Sequence, residues 1–384
     1  MKRKTAVSAP PAGGASVYAD PGFSAALIAW QQAHGRHTLP WQNTRDAYRV
    51  WLSEIMLQQT QVSAVIPYYE RFLARFPGLA SLAAAPQADV MAHWSGLGYY
   101  SRARNLHACA QQVMREHGGV FPSDPALLAE LPGIGRSTAA AIAAFSYGVR
   151  AAIMDGNVKR VFARVFGINT WPGEKKTEEQ LWLRAEALLP DSGIEAYTQG
   201  LMDLGATLCT RSRPDCARCP FVTRCAAYAQ GRTAELPVKK PARAIPEKYA
   251  DLLILQADGA ILLEQRPDLG IWGGLWSLPE VNGHSLQQDE PEADLILAHV
   301  AQRFAASHVL SCRRLPVISH QFTHFRLQMQ PWLLELKARP LLLANQAWDW
   351  HACSDLQGLG LPAPVRKLLT GLYEQPALWA QDKL

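Results

Sequence analysis

The sequence predicts two folded domains of different class in one chain. An all-α region covers residues 21–228 and a mixed α+β domain covers 249–375, with a linker at 229–248 and tails at 1–20 and 376–384. Three observations predict this. A chain of 384 residues is longer than one hydrophobic core usually serves. Apolar residues recur three and four apart up to Tyr228, whereas beyond Tyr249 they alternate. Between the two lies GRTAELPVKKPARAIPEKYA, Gly231–Ala250, with three prolines, several Lys and Arg, and little that could pack.

Residues 1 to about 20 are rich in Ala, Pro, Gly and Ser and carry no periodic apolar pattern, which predicts a disordered tail. From Pro21 onward, FSAALIAWQQAHG, AYRVWLSEIMLQQ, VIPYYERFLARF, ADVMAHWSGLG, SRARNLHACAQQVMREHGG, STAAAIAAFSYG and NVKRVFARVFG each show helical spacing. Several end in Gly or begin beside Pro, Ser, Asp or Asn, residues that open and close helices. No strand is read here, so short connections between packed helices are expected. After the linker, YADLLILQADGAILLEQRP reads as two strands joined at Asp258-Gly259, a hairpin turn pair. SHQFTHFRLQMQPWLLELKA alternates again, while EADLILAHVAQRFA and APVRKLLTGLY read as helices. No internal repeat is found.

An apolar fraction of 48% and a charged fraction of 18% exclude a disordered chain. No apolar run approaches the roughly 20 residues of a membrane helix. The basic start Met1-Lys2-Arg3-Lys4 is followed by no apolar signal segment, so a cytoplasmic protein without a membrane partner is expected. The net charge of +5 permits a nucleic-acid partner without arguing for one. Arrangement says more. Arg102, Arg104, Arg136, Lys159 and Arg160 fall near turns or helix starts, and Arg211, Arg213, Arg218 and Arg224 crowd one segment opposed only by Asp215. Of seven cysteines, four fall between positions 209 and 225. In a cytosolic protein such clustering points to a metal rather than to disulfides.

Four features carry chemistry. In LPGIGRSTAAA, Leu131–Ala141, Gly133 and Gly135 permit a sharp turn with uncovered N–H groups, and the helix that follows adds its own unpaired N–H groups. Such a turn suits a phosphate, and equally serves an ordinary pair of packed helices. Cys209, Cys216, Cys219 and Cys225 form C-x6-C-x2-C-x5-C, whose thiolates suit tetrahedral zinc or an iron–sulfur cluster. Asp155, in IMDGNVKRVFAR, stands before a helix and serves as a plain cap or as a site carboxylate. Glu54, in VWLSEIMLQQTQV, is the one acid on a helix of large apolar residues. Either it points to water, or it is partly buried with a raised pKa and a proton to give.

The hairpin with its LPG entry resembles the helix-hairpin-helix of DNA glycosylases, and the cysteine spacing is similar to the [4Fe–4S] loop of the endonuclease III and MutY types. TLPWQNTRDAYRVWLSEIMLQQTQVSAVIPYYERF and GLGYYSRARNLH resemble the MutY-type adenine glycosylases almost throughout, over about Phe23–Tyr228 and more loosely beyond. The resemblance implies an all-α helix-hairpin-helix glycosylase region with a [4Fe–4S] loop, then an α+β Nudix-like recognition domain. It implies a monomeric, monofunctional enzyme of base excision repair, nucleoid-associated if bacterial. Its partner would be double-stranded DNA with adenine opposite 8-oxoguanine or guanine. Glu54 would protonate the flipped adenine at N7, Asp155 would stabilise the cation left on the sugar, and Asn157 would help hold the site. Gly133, Gly135 and Arg136 would grip a phosphate. Gln59 and Tyr99 would wedge into the duplex, and Trp41 and Gln199 would line the adenine pocket.

Strand-cleaving relatives carry a lysine where Ser137 stands, and a hydroxyl cannot form their Schiff base. In HQFTHF, the segment Phe322-Thr323-His324 occupies the place of the usual Phe-Ser-His that contacts 8-oxoguanine, with a methyl added at Thr323. The Glu-rich box of a working Nudix hydrolase is missing around Glu290 and Glu292, so the fold is expected without that activity. Three alternatives stand beside this reading: a bifunctional endonuclease III-like glycosylase and lyase, a non-catalytic iron–sulfur DNA-binding module, and a Nudix nucleotide hydrolase.

Overall fold

The computed structural model describes residues 18–241, 245–267, 270–281, 293–304, 308–322, 324–340 and 347–374. The expected terminal tails therefore lie outside it at 1–17 and 375–384, as do Glu290, Glu292 and Thr323. The chain divides into two compact units, residues 1–83 with 108–242, and residues 84–107 with 243–384. The helical stretch read as continuous over 21–228 thus contributes residues 84–107 to the second unit.

The first unit contains, among its described residues, α1 (Pro21–His34), α2 (Ala47–Leu57), α3 (Val62–Arg75) and α4 (Leu79–Ala83). Beyond α5 (Gln87–Trp94) and α6 (Ser101–Glu116), it continues with α7 (Pro125–Glu130), α8 (Arg136–Tyr147), α9 (Gly156–Val165), α10 (Lys175–Ala187), α11 (Ile194–Asp203) and α12 (Ala226–Ala229). No strand occurs among the described residues of 21–228, as the spacing predicts. The ends follow the sequence signals. Asp20, Asp46, Asp124 and Asp155 accept backbone N–H groups at the starts of α1, α2, α7 and α9, and Gly148 closes α8 at φ +67°.

Alanines 140, 141 and 144 of α8 are buried against Phe23, Leu27, Val158, Val161, Phe162, Tyr197 and Leu201. These small residues let α1, α8, α9 and α11 come close together. Gly200 does the same for α1 and α11, since a Cβ there would lie 3.0 Å from Leu27 Cγ. Phe221 stacks on Phe23 at 4.3 Å with planes 4° apart, which ties the cysteine-rich loop to α1. Such a pair adds about 0.5–1.5 kcal/mol beyond its buried area.

Two local expectations change. Tyr18 and Asp20 are held rather than loose. The Tyr18 ring lies under Arg184, and Asp20 pairs with Arg224, which gives the arginine-rich segment a second acid besides Asp215. The linker also packs at its start, because Leu236 is 1% exposed and joins the helical core. A lone leucine among polar residues gives no periodicity, which is why spacing missed it.

The second unit is built on a mixed sheet. Its strands are β1 (Glu247–Ala257), β2 (Ala260–Gln265), β3 (Trp276–Ser277), β4 (Glu280–Val281), β5 (Val309–Arg314), β6 (Ile318–Gln321), β7 (Arg326–Leu336) and β8 (Trp348–Ala352). β1 and β2 form the expected hairpin, with Asp258 and Gly259 at φ +47° and +69°. β1 runs parallel to β7, which β5 and β6 flank antiparallel. Both predicted helices form, α13 (Ala293–Phe304) and α14 (Ala363–Glu374). Ile296, Val300 and Phe304 of α13 pack on Leu253, Leu255, Trp332 and Leu334 of one sheet face. Segment 84–107 is fastened to this unit by Ser95 Oγ, which donates to Leu361 O at 3.0 Å, and by Arg104 Nη1, which donates to Gly273 O at 2.5 Å.

Candidate active site

The first unit holds a cavity of about 370 Å³ whose walls include Trp41, Val50, Glu54, Leu57, Phe145 and Gln199. Trp41 and Glu54, near each other in the sequence, thus share one chamber with the distant Gln199. α2 supplies Glu54 from a turn whose neighbours Trp51, Leu52, Ser53, Ile55 and Met56 are all buried. Scarce water and the charge of Asp155 push the Glu54 carboxyl up to about 8. Both causes act in the same direction.

Asp155 reaches the same neighbourhood as the cap of α9. Its carboxylate accepts Val158 N–H at 2.8 Å and the Asn157 side-chain amide at 3.3 Å. Burial raises its pKa, while these hydrogen bonds and the Arg160 guanidinium pull the other way. Asp155 is therefore the plain cap of α9, and it lies close enough for its charge to act on Glu54. Burial raises both carboxyls, and only at Asp155 do hydrogen bonds and a guanidinium oppose it.

The scaffold around Asp155 is close-fitting. Ser137 Oγ, in the first turn of α8, accepts Met154 N–H at 2.9 Å and so fixes the backbone immediately before Asp155. Gly205 lies in a π-helical turn, Leu204–Leu208, that continues α11. A Cβ at Gly205 would stand 2.5 Å from Asn157 Cβ. Arg160 donates to Asn157 Oδ1, Gly205 O and Cys209 O, each at 2.7 Å. Behind the lining residues Arg36 and Gln199, fully buried Asp203 accepts from Arg36 N at 2.8 Å, Arg36 Nε at 2.7 Å and Gln199 Nε2 at 2.8 Å. Sequence reasoning missed Arg36, Asp203 and Gly205. Asp203 alone had a signal, an acid on a helix that buries Leu201 and Gly200, the same pattern that singled out Glu54.

The hairpin forms between α7 and α8. Gly133 takes φ +77°, as a glycine turn requires, but Gly135 is extended at φ −92°, a conformation open to any residue. A Cβ at Gly135 would meet nothing within 4 Å, so no contact inside the protein demands glycine there. Exposed Arg136 lies 3.8 Å over the Trp182 ring and pairs with Glu186. Gln59, in the first unit, and Tyr99, in the second, are both exposed and both left-handed, at φ +59° and +50°. Residues other than glycine rarely adopt that region without a reason in their surroundings.

Cys209, Cys216, Cys219 and Cys225 line one small cavity and are free thiols. Burial raises the Cys219 thiol, the Phe221 backbone hydrogen bond opposes it, and Cys209, Cys225 and Cys216 each add a smaller upward push. Arg164, 2% exposed, donates to Cys209 Sγ at 3.4 Å and otherwise to the carbonyls of Leu236, Thr210 and Arg211. A buried guanidinium with these partners suits an anionic thiolate group, so the donor set fits a cysteine-ligated cluster.

In the second unit Phe322 and His324 line a cavity of about 690 Å³ together with Tyr99 and Trp272. No helix of the described residues is long and apolar enough to cross a membrane.

Residues 52–187 match the family model described as the HhH-GPD superfamily base excision DNA repair protein, and residues 250–371 match that of the NUDIX domain. An all-α unit with this hairpin and an α+β unit of Nudix type define the chain as a DNA glycosylase enzyme of the helix-hairpin-helix class. The adenine DNA glycosylase of Buchnera aphidicola subsp. Baizongia pistaciae is 36% identical over 91% of this chain and 96% of its own length. That of Homo sapiens is 34% identical over 90% of this chain and 73% of its own length. The chain belongs to the adenine DNA glycosylase family, of MutY type. The solved structure of a thermostable thymine-DNA glycosylase is also similar, with 28% identity and a TM-score of 0.50 over 56% of this chain and 97% of that one.

Proposed function

We propose that this enzyme excises adenine opposite 8-oxoguanine, or opposite guanine, from duplex DNA and leaves the strand intact. The observation that carries the reading is the pair of neighbouring acids. Burial and the Asp155 charge push the Glu54 carboxyl up to about 8 at the wall of a chamber that also offers Trp41 and Gln199, while at Asp155 hydrogen bonds and Arg160 oppose the burial that raises it. The flipped adenine enters this chamber and rests against the Trp41 indole. Gln199 has its amide nitrogen committed to Asp203, so its carbonyl oxygen is the end that accepts from the exocyclic amine of adenine.

Glu54 gives its proton to N7, which turns a poor leaving group into a good one. The bond from C1′ to N9 breaks, and its electron pair leaves with adenine. The Asp155 carboxylate stabilises the positive sugar by charge or by a transient bond, and Asn157 steadies that carboxylate. Water adds at C1′ and returns a proton to Glu54. Ser137 has no amine to trap the sugar, and its hydroxyl is engaged with Met154 N–H, which supports base removal without strand cleavage.

The hairpin N–H groups around Gly133 and Gly135 grip a phosphate, and the open space at Gly135 supports that role. Arg136 reaches DNA by exchanging Glu186 for a phosphate. Gln59 and Tyr99 fill the space the base leaves. Phe322, Thr323 and His324 read the opposite base. Cys209, Cys216, Cys219 and Cys225 would hold a [4Fe–4S] cluster, which when bound supplies a structural and redox-capable centre to the DNA-facing arginine loop.

The test is single-turnover excision from a duplex with adenine opposite 8-oxoguanine, comparing the wild type with Glu54→Gln. Full turnover by the variant would reject Glu54 as the acid and this reading with it.

A further inference from the structure

In the second unit, the turn at 270–275 meets the end of β6 and the ring of Phe322 around one indole. Trp272 is 7% exposed, with its ring centre 5.9 Å from that of His320 and 5.6 Å from that of Phe322. Phe322 stacks on Phe325 at 4.5 Å, meets His320 edge-on at 4.7 Å, and donates its N–H to Phe325 O at 2.9 Å. The ring that begins the proposed recognition segment is therefore one of four in contact, and Trp272 is the buried one on the neighbouring loop.

The backbone of Trp272 is left-handed, at φ +56°. A bulky residue holds that conformation only where its surroundings over-determine it. Here they do. Trp272 O accepts Leu275 N–H at 3.1 Å, Gly273 O accepts Arg104 Nη1 at 2.5 Å, and Gly270 and Gly274 flank the turn at φ +101° and +76°. Among the described residues of the apolar core between the sheet and α13, the indole is not included. Its neighbours are instead the rings of His320 and Phe322, and it shares the cavity of about 690 Å³ with Tyr99 and His324.

We propose that Trp272 is a positioning residue for reading the base opposite adenine. Its buried, backbone-strained indole is the platform that holds Phe322 and His320, and through them the segment that ends at His324. Guanine and 8-oxoguanine differ only by an oxygen at C8 and a hydrogen at N7. Discrimination on so small a difference needs hydrogen-bonding groups held to a fraction of an ångström. A rigid indole with two rotatable bonds supplies that constraint without touching DNA.

The inference rests on the recognition reading above, and its test separates the two. The full chain is assayed for single-turnover adenine excision opposite 8-oxoguanine and opposite guanine. Trp272→Gly removes the ring and relieves the backbone, Trp272→Phe keeps a ring, and His324→Ala alters the segment itself. The expected result is a fall in the 8-oxoguanine-to-guanine rate ratio of about ten- to hundredfold in Trp272→Gly, largely restored in Trp272→Phe. An unchanged ratio in Trp272→Gly, with a lowered one in His324→Ala, would overturn the role of Trp272 and leave the recognition segment standing. If both variants keep the wild-type ratio, the recognition reading fails and this inference with it. Equal losses on the two duplexes would mark general damage and likewise reject the platform.

Discussion

A carboxylic acid keeps its proton at neutral pH where water is scarce and negative charge is close, and position 54 meets both conditions. Glu54→Gln is expected to lower excision by at least about a hundredfold, the span of general acid catalysis, with mispair binding retained in a gel-shift assay. The wild-type rate should fall above about pH 8, where Glu54 loses its proton. Stability carries the same signature. The unfolded carboxyl titrates near its ordinary 4.5 and the folded one near 8, so between these values the folded chain binds more protons and loses stability as pH rises. Relative to wild type, Glu54→Gln should therefore become steadily more stable from pH 4.5 to 8 and hold that advantage above it, as read by thermal unfolding across pH. Gly205→Ala forces a methyl into Asn157. Excision should drop about ten- to hundredfold through displacement of Asn157, with little change in DNA affinity.

α8 is the element on which the site depends, because its entry turn and its first turn do different work. Its entry turn was legible in LPGIG, which assigned the sharp turn to both glycines, whereas only Gly133 takes φ > 0. The sequence did not reveal that Gly135 is unconstrained from within, since only the empty space beside it shows this. Ser137 could be read as lacking an amine, but its acceptance of Met154 N–H depends on the approach of another segment. Ser137→Ala leaves that N–H without its acceptor, a loss of about 1–3 kcal/mol if no water replaces it. The expected outcome is slower excision with borohydride trapping still negative. A strong trapped adduct would point instead to an amine elsewhere. The cysteine-rich loop is tied at Phe221, at Arg224 and at the thiols facing Arg164. Cys219→Ser should accordingly reduce visible cluster absorbance and soluble yield together, and an intact spectrum would refute the cluster assignment.

Across the chain, the two units differ in how much of each was readable. The helical unit announced itself through spacing and caps, and the sheet through alternation and Asp258-Gly259. The affiliation of residues 84–107 with the second unit was not readable, because a helix pattern says which face is apolar and not which partner covers it. The same holds for the site. By itself the sequence determined the class of each unit, the hairpin, the four-thiol loop and the candidate acids, since periodicity and motif spacing are properties of neighbours along the chain. Tertiary structure alone decided that Trp41, Glu54 and Gln199 share a chamber, that burial and the Asp155 charge raise the Glu54 carboxyl, and that Arg36 meets Asp203 across 167 positions. Burial and electrostatic coupling fall off with distance in space, and separation along the chain does not measure that distance.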